Sequence, residues 1–219
     1  MAEGHEAFRA TVKGRVQGVG FRAATVEAAR AAKVFGWVRN QDDGTVLVHA
    51  EGHPQSLEML VTFLGAGPAG SEVADVDLVA AKVEGHEQFA IRGVPAGRFV
   101  VEQIVGDRLS YTLGLQVDGV MRWWRVPKEP SLKPADKRMA FELAADDAHE
   151  AGIGVTIWDE GTYEQGGRVA WPEAIDRGHA VFVLHGQTLR GGFALQRTRR
   201  DGARPQWLLI KRRDADAQD

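Results

Sequence analysis

The chain has 219 residues, 44% of them hydrophobic, which is enough material for one large core or two small ones. It contains no cysteine, so a disulfide framework and thiolate zinc sites are excluded, and a reducing cytoplasm is the expected setting. With 27 Lys and Arg against 30 Asp and Glu, the net charge of -3 argues against a protein that coats nucleic acid over its whole surface. The polar, acidic start and the absence of any run near about eighteen apolar residues predict neither a signal peptide nor a membrane span.

The first element is a strand-like run from Ala7 to Lys13. It is followed by Gly14-Arg15-Val16-Gln17-Gly18-Val19-Gly20-Phe21-Arg22 and then by an alanine-rich helical run from Phe21 to Val34. Glycines let backbone N–H groups converge without Cβ obstruction, the helix N-terminus adds positive dipole, and Arg22 brings a guanidinium alongside. This is the composition of a phosphate cradle, with Arg15, Val16, Gln17, Gly18, Val19 and Gly20 as candidate phosphate contacts.

Gly36-Trp37-Val38-Arg39-Asn40 leads into Asp42-Asp43-Gly44 and a strand with Val46 and Val48 on one face, the pattern of a hairpin. Asn40 therefore ends a strand, where asparagine serves equally as a turn residue or as a catalytic one. Pro54 to Leu64 reads as a second helix, with Leu57, Leu60, Val61 and Leu64 as its apolar stripe, stopped by the Gly65–Gly70 segment. Val73 to Val83 and Phe89 to Arg92 read as strands. The order is βαββαβ, which predicts a ferredoxin-like α+β sandwich: an antiparallel sheet with two helices on one face.

Together GRVQGVGFR, GWVRN and DDGTVLVHAEG resemble the acylphosphatases over residues 6 to 93. The resemblance implies hydrolysis of carboxyl-phosphate anhydrides without metal or cofactor. Arg22 and the loop backbone would hold the phosphoryl group, and Asn40 would position the attacking water. A substrate phosphate oxygen would take the water proton, which accounts for a motif without Cys, Ser or His. An acyl phosphate is already activated, so donors preorganised around it and one water-orienting group suffice.

Gly93-Val94-Pro95-Ala96-Gly97 has the composition of a linker, which sets an N-terminal domain at 1–93, a linker at 94–98 and a second domain at 99–213, with a polar tail at 214–219 expected to be disordered. Beyond the linker come short strand-like runs: Phe99–Val101, Tyr111–Val117, Val120–Val126, Val155–Trp158, His179–Leu184, Phe193–Arg197 and Trp207–Ile210. Turn signals at Asp118-Gly119, Glu160-Gly161 and Gly191-Gly192 separate them. A mainly-β, barrel-like domain follows, with Trp123, Trp124, Trp158 and Trp207 as expected core.

FVVEQIVGDRLSYTLGLQVDGVMRWWRVPKEPSLKPADKRMAFEL, FVLHGQTLRGGFALQRT and WLLIKRRD resemble the 3′-phosphoesterase domain attached to bacterial ATP-dependent DNA ligases of end joining. That family carries His, His, Asp and Arg for manganese and phosphate where this chain has Ile104, Ser110, Thr112 and Gly114, and a further His falls near Asp146. Ile, Ser, Thr and Gly cannot rebuild a hard-cation site, so no metal is expected there. Lys128 and Arg138 match basic residues that the family uses near phosphate. They are candidates for residual anion binding or for surface ion pairs. The histidines at 5, 49, 53, 86, 149, 179 and 185 lack metal-helix spacing and are expected to be structural or solvated.

Two functions follow as expectations. The first is an acylphosphatase acting on a small-molecule acyl phosphate, with a non-catalytic accessory domain. The second is a DNA-end or phosphate-binding protein using the basic run from Arg190 to Arg213, whose hold on DNA would be weak and salt-dependent.

Overall fold

The computed structural model describes residues 4–144, 154–199 and 205–218. Asp146, His149 and, within the basic run, Arg200, Asp201 and Arg204 lie outside the described residues. The chain divides into two compact units, residues 1–94 with 168–170, and residues 95–167 with 171–219. No helix among the described residues is long and apolar enough to cross a membrane.

The N-terminal unit contains β1 (Glu6–Arg15), α1 (Phe21–Ala32), β2 (Phe35–Asn40), β3 (Val46–Gly52), α2 (Pro54–Ala66), β4 (Glu72–Ala80) and β5 (Phe89–Ile91). Strand alternation sends Ala10, Val12, Val38, Val46, Val48 and Ala50 to one face, where they are fully buried with Phe21 and Ala29 of α1 and Leu57, Leu60 and Leu64 of α2. Each fully buried Leu or Phe contributes about 1.5–3 kcal/mol, so this two-layer core is the main source of the unit's stability. Helix α1 ends at Ala32 because Lys33 turns left-handed, with φ 57°, and its N–H caps the carbonyls of Ala29 and Arg30.

The sheet order is β4-β1-β3-β2-β5. It is mixed rather than antiparallel: β5 runs parallel to β2, pairing Gly36, Trp37 and Val38 with Phe89, Ala90 and Ile91. Alternation alone cannot reveal strand direction, and β5 is only three residues long.

The C-terminal unit contains β6 (Gly97–Ile104), β7 (Ser110–Val117), β8 (Val120–Val126), β9 (Arg138–Leu143), β10 (Val155–Gln165), α3 (Glu173–Arg177), β11 (His179–Gly186), β12 (Arg190–Arg199) and β13 (Gln206–Lys211). They close into an eight-stranded antiparallel barrel in the order β10-β11-β12-β13-β9-β8-β7-β6, with β10 pairing β6 to complete the ring. Trp124 and Trp207 are fully buried and meet edge to face at 6.1 Å. Trp158 is only partly covered and packs its edge against Tyr111 at 5.6 Å.

Several expectations are corrected here. Strand β9 and helix α3 were not foreseen, and β6 starts at Gly97, inside the expected linker. Glu160-Gly161 and Gly191-Gly192 are not turns but lie inside β10 and β12. A Cβ at Gly161 would stand 2.2 Å from the carbonyl oxygen of His185, so this glycine permits a close strand approach. Residues 214–218 are tied down rather than frayed. Asp214 pairs with the buried ammonium of Lys211 and accepts the N–H of Gly192 at 2.6 Å, and the N–H of Gln218 reaches the carbonyl of Leu132 at 2.9 Å.

Candidate active site

The loop between β1 and α1 turns on glycines in the left-handed region, with φ 74° at Gly18 and 77° at Gly20, the N-cap of α1. The first helical hydrogen bond runs from the N–H of Ala24 to the carbonyl of Gly20, which leaves the N–H groups of the first turn for a ligand. Val16, Gly18, Gly20, Phe21, Arg22, Ala23, Asn40 and Ile91 line one pocket of about 300 Å³. The fold thus brings Arg22 and Asn40 to the same cavity from different elements. Asn40 Oδ1 is buried and has no hydrogen-bond partner among the described residues.

Other expected contacts are sorted differently. Arg15 does not line the pocket, and its guanidinium pairs with exposed Glu72 at 3.0 Å. Gly14 serves the sheet: at φ 122° it sits on the β1–β4 register shift, where a Cβ would stand 2.1 Å from the carbonyl oxygen of Glu72. Val19 packs against the core. The Gln17 side chain is a brace, donating from Nε2 to the carbonyls of Gln41 at 2.8 Å and Thr45 at 2.9 Å. The hairpin beyond Asn40 is held by Asp43, whose carboxylate accepts from the hydroxyl and N–H of Thr45 and is kept below its ordinary pKa by those bonds.

The acylphosphatase family model matches residues 8–91. The acylphosphatase of Cupriavidus pinatubonensis is 52% identical over 73 residues, which cover 33% of this chain and 81% of that protein. The chain belongs to the acylphosphatase family. It does so through its N-terminal unit, and the family's members are hydrolases acting on acid anhydrides. The crystal structure of acylphosphatase from Bacillus subtilis is 40% identical, with a TM-score of 0.39, over 39% of this chain and 97% of that one.

Residues 105–197 match the model of the DNA Ligase D 3′-phosphoesterase domain. The multifunctional non-homologous end joining protein LigD of Pseudomonas aeruginosa is 33% identical over 138 residues, 55% of this chain but 16% of that protein, so the chain spans a small part of that relative. In the acylphosphatase-family chain described here, Ile104 pairs with Ser110 across β6 and β7. The buried Thr112 donates its hydroxyl to Glu102 at 3.0 Å. A Cβ at Gly114 would stand 2.7 Å from Met121 Cε and 2.8 Å from Trp123 Cζ3. Arg138 is engaged by the carbonyl of Glu129 at 2.7 Å and by Asp136 at 3.1 Å, which makes it a structural cation, whereas Lys128 is exposed.

The basic run is also partly consumed by the barrel. Lys211 is buried, and Arg197 donates to the carbonyl of Asp176 at 2.7 Å while lying over Trp207. Among the histidines, His185 pairs with Glu164 at 2.8 Å on the surface. Sequence reasoning missed the buried pair His49 and His86, which Glu51 joins. Burial pushes the His86 imidazole below its ordinary pKa, against an opposing pull from Glu51. A signal was present in the alternation of β3, which puts His49 and Glu51 on the face opposite Val46, Val48 and Ala50.

Proposed function

We propose that the N-terminal unit hydrolyses a carboxyl-phosphate anhydride to carboxylate and phosphate without metal. The observation that carries this reading is that Asn40 lines the same pocket as Arg22, Gly18 and Gly20, with its Oδ1 buried and unpartnered among the described residues. The Arg22 guanidinium and the N–H groups of the loop and first helical turn bind the phosphoryl oxygens and stabilise the charge that builds on them. Asn40 holds water for attack on phosphorus. The P–O bond to the acyl group breaks, the electron pair leaves with the carboxylate, and the water proton passes to a phosphoryl oxygen. The cradle contacts phosphate and leaves the acyl side open.

The barrel unit acts in this reading as a non-catalytic accessory domain. Ile104, Ser110, Thr112 and Gly114 offer no imidazole or carboxylate, and among the described residues no group of three metal-binding side chains lies in the barrel. Small acyl phosphates are the proposed partners. DNA is the weaker candidate, because Lys211 and Arg197 are already engaged. The test is hydrolysis of acetyl or benzoyl phosphate by the whole chain with and without a chelator. Chelator-resistant turnover supports the reading, and no turnover above background overturns it.

A further inference from the structure

On the sheet face away from the helices, His49, Glu51 and His86 come together, each offering a ligand atom within 4.8 Å of those of the other two. His49 is 0% exposed, Glu51 1% and His86 6%. His49 Nε2 stands 3.6 Å from Glu51 Oε2. Ligand atoms about 2.1 Å from a tetrahedral zinc ion are about 3.4 Å apart, so that edge already has near-coordinating length.

The cluster also leaves its polar atoms poorly satisfied. Among the described residues, both ring nitrogens of His49 and Nδ1 of His86 are buried without a hydrogen bond. Buried ring nitrogens without partners lose hydration with nothing in return. Glu51 is oriented rather than neutralised: its carboxylate accepts the N–H of Glu84 at 2.6 Å and the N–H of His86. Outside them, Glu84 meets His86 Nε2 at 3.2 Å, as the carboxylate behind a metal-ligating histidine does, and the Trp37 ring stacks on His49 at 5.9 Å.

We propose that His49, Glu51 and His86 form a binding site for one borderline divalent cation of the zinc class, with Glu84 orienting the His86 ring. Two imidazoles and one carboxylate suit Zn²⁺, Co²⁺ or Ni²⁺ and not Mg²⁺ or Ca²⁺, which take oxygen ligands. The site is buried and lies on the other face of the sheet from Asn40, so its role is structural: it pins residues 84–86 to β3. The proposal is independent of the phosphate-cradle chemistry.

The test uses the full chain, stripped with a chelator and dialysed, then titrated with Co²⁺ and Zn²⁺. The expected result is one equivalent bound, a tetrahedral-type visible Co²⁺ spectrum, and a Tm that rises with Zn²⁺ while acyl-phosphate hydrolysis at 25 °C is unchanged. His49→Gln and His86→Gln should abolish the spectrum and the stoichiometric site. Glu84→Gln should weaken affinity about 10- to 100-fold while leaving the stoichiometry. A far-UV circular dichroism spectrum and a cooperative thermal transition like those of the metal-free parent show that the His49→Gln variant has folded. Sub-stoichiometric binding, or a Co²⁺ spectrum that survives both histidine substitutions, would overturn the site.

Discussion

Gln17 of the glycine loop donates its side-chain amide to the carbonyl of Gln41, the residue that follows Asn40, at 2.8 Å. With a second bond to the Thr45 carbonyl, it ties the glycine loop to the hairpin that follows Asn40. The glycine loop and the strand end that carries Asn40 come from separate segments of the chain, and in the proposed reaction the first holds phosphate and the second water, so the strut would fix their spacing. Gln17→Ala removes this bond and the one to Thr45, and should lower stability by about 1–3 kcal/mol and kcat about tenfold, with a smaller change in KM. Chemical denaturation and steady-state kinetics with benzoyl phosphate check it; unchanged kcat would show that the strut does not position the site.

Arg22→Ala should reduce kcat/KM by on the order of a hundredfold to a thousandfold, the cost of deleting one preorganised donor to a developing oxyanion. Arg22→Lys should recover little, since a point charge does not reproduce the planar fork. Asn40→Ala should depress kcat more than it raises KM, because water orientation matters chiefly in the transition state. Inhibition by inorganic phosphate separates the two roles: it should weaken in the arginine variants and persist in Asn40→Ala.

Two backbone positions should move stability in opposite directions. Lys33 holds φ 57°, a conformation costing a non-glycine residue about 1 kcal/mol, so Lys33→Gly should raise stability by up to about that amount. Gly36 has φ 135°, and a Cβ there would stand 2.0 Å from the carbonyl oxygen of His49, so Gly36→Ala should cost about 3 kcal/mol or more. Thermal denaturation of the two variants gives the sign directly.

The pair Lys211 and Asp214 should make the barrel acid-sensitive. Burial would raise the Asp214 carboxyl, but the Lys211 ammonium and the Gly192 N–H outweigh it and hold its pKa below the ordinary value. A carboxyl lowered on folding contributes stability that is complete above its unfolded pKa and is lost as pH falls through the folded one. Asp214→Asn should cost roughly 3 kcal/mol at neutral pH, by leaving a buried ammonium unpaired, and should flatten the acid limb of the stability profile. An unchanged acid limb in this variant would refute the assignment.

The whole chain should release no phosphate from a 3′-phosphorylated DNA end, with or without added manganese. Radiolabelled or fluorescent end-processing assays measure this, and manganese-dependent product would establish a metal site that Ile104, Ser110, Thr112 and Gly114 do not supply.

Most of the fold was legible because its elements obey simple periods. Val46 and Val48 alternate, Leu57, Leu60 and Leu64 repeat at helical spacing, and Gly18 and Gly20 mark the loop. Arg138–Leu143 escaped notice because its burial does not alternate: Ala140 and Leu143 are the buried residues, three apart. Gly161 and Gly191 misled because glycine reports backbone freedom, not what uses it: at Gly161 the use is close strand approach, and at Gly191 a positive φ inside β12 with the Asp214 and Asp216 side chains against it. Local motifs singled out Arg22 and Asn40, and the fold places both on one pocket. His49, Glu51 and His86 were not singled out, since only the pairing of the sheet and the path after β4 bring them together.

Gly114 also constrains what the barrel can become. Trp123 and Met121 fill the space beside it, so any side chain introduced at this position would first have to displace the indole or the thioether. Position 114 is thereby closed to larger residues unless Met121 and Trp123 change with it, so a single substitution there cannot add a functional side chain to this strand.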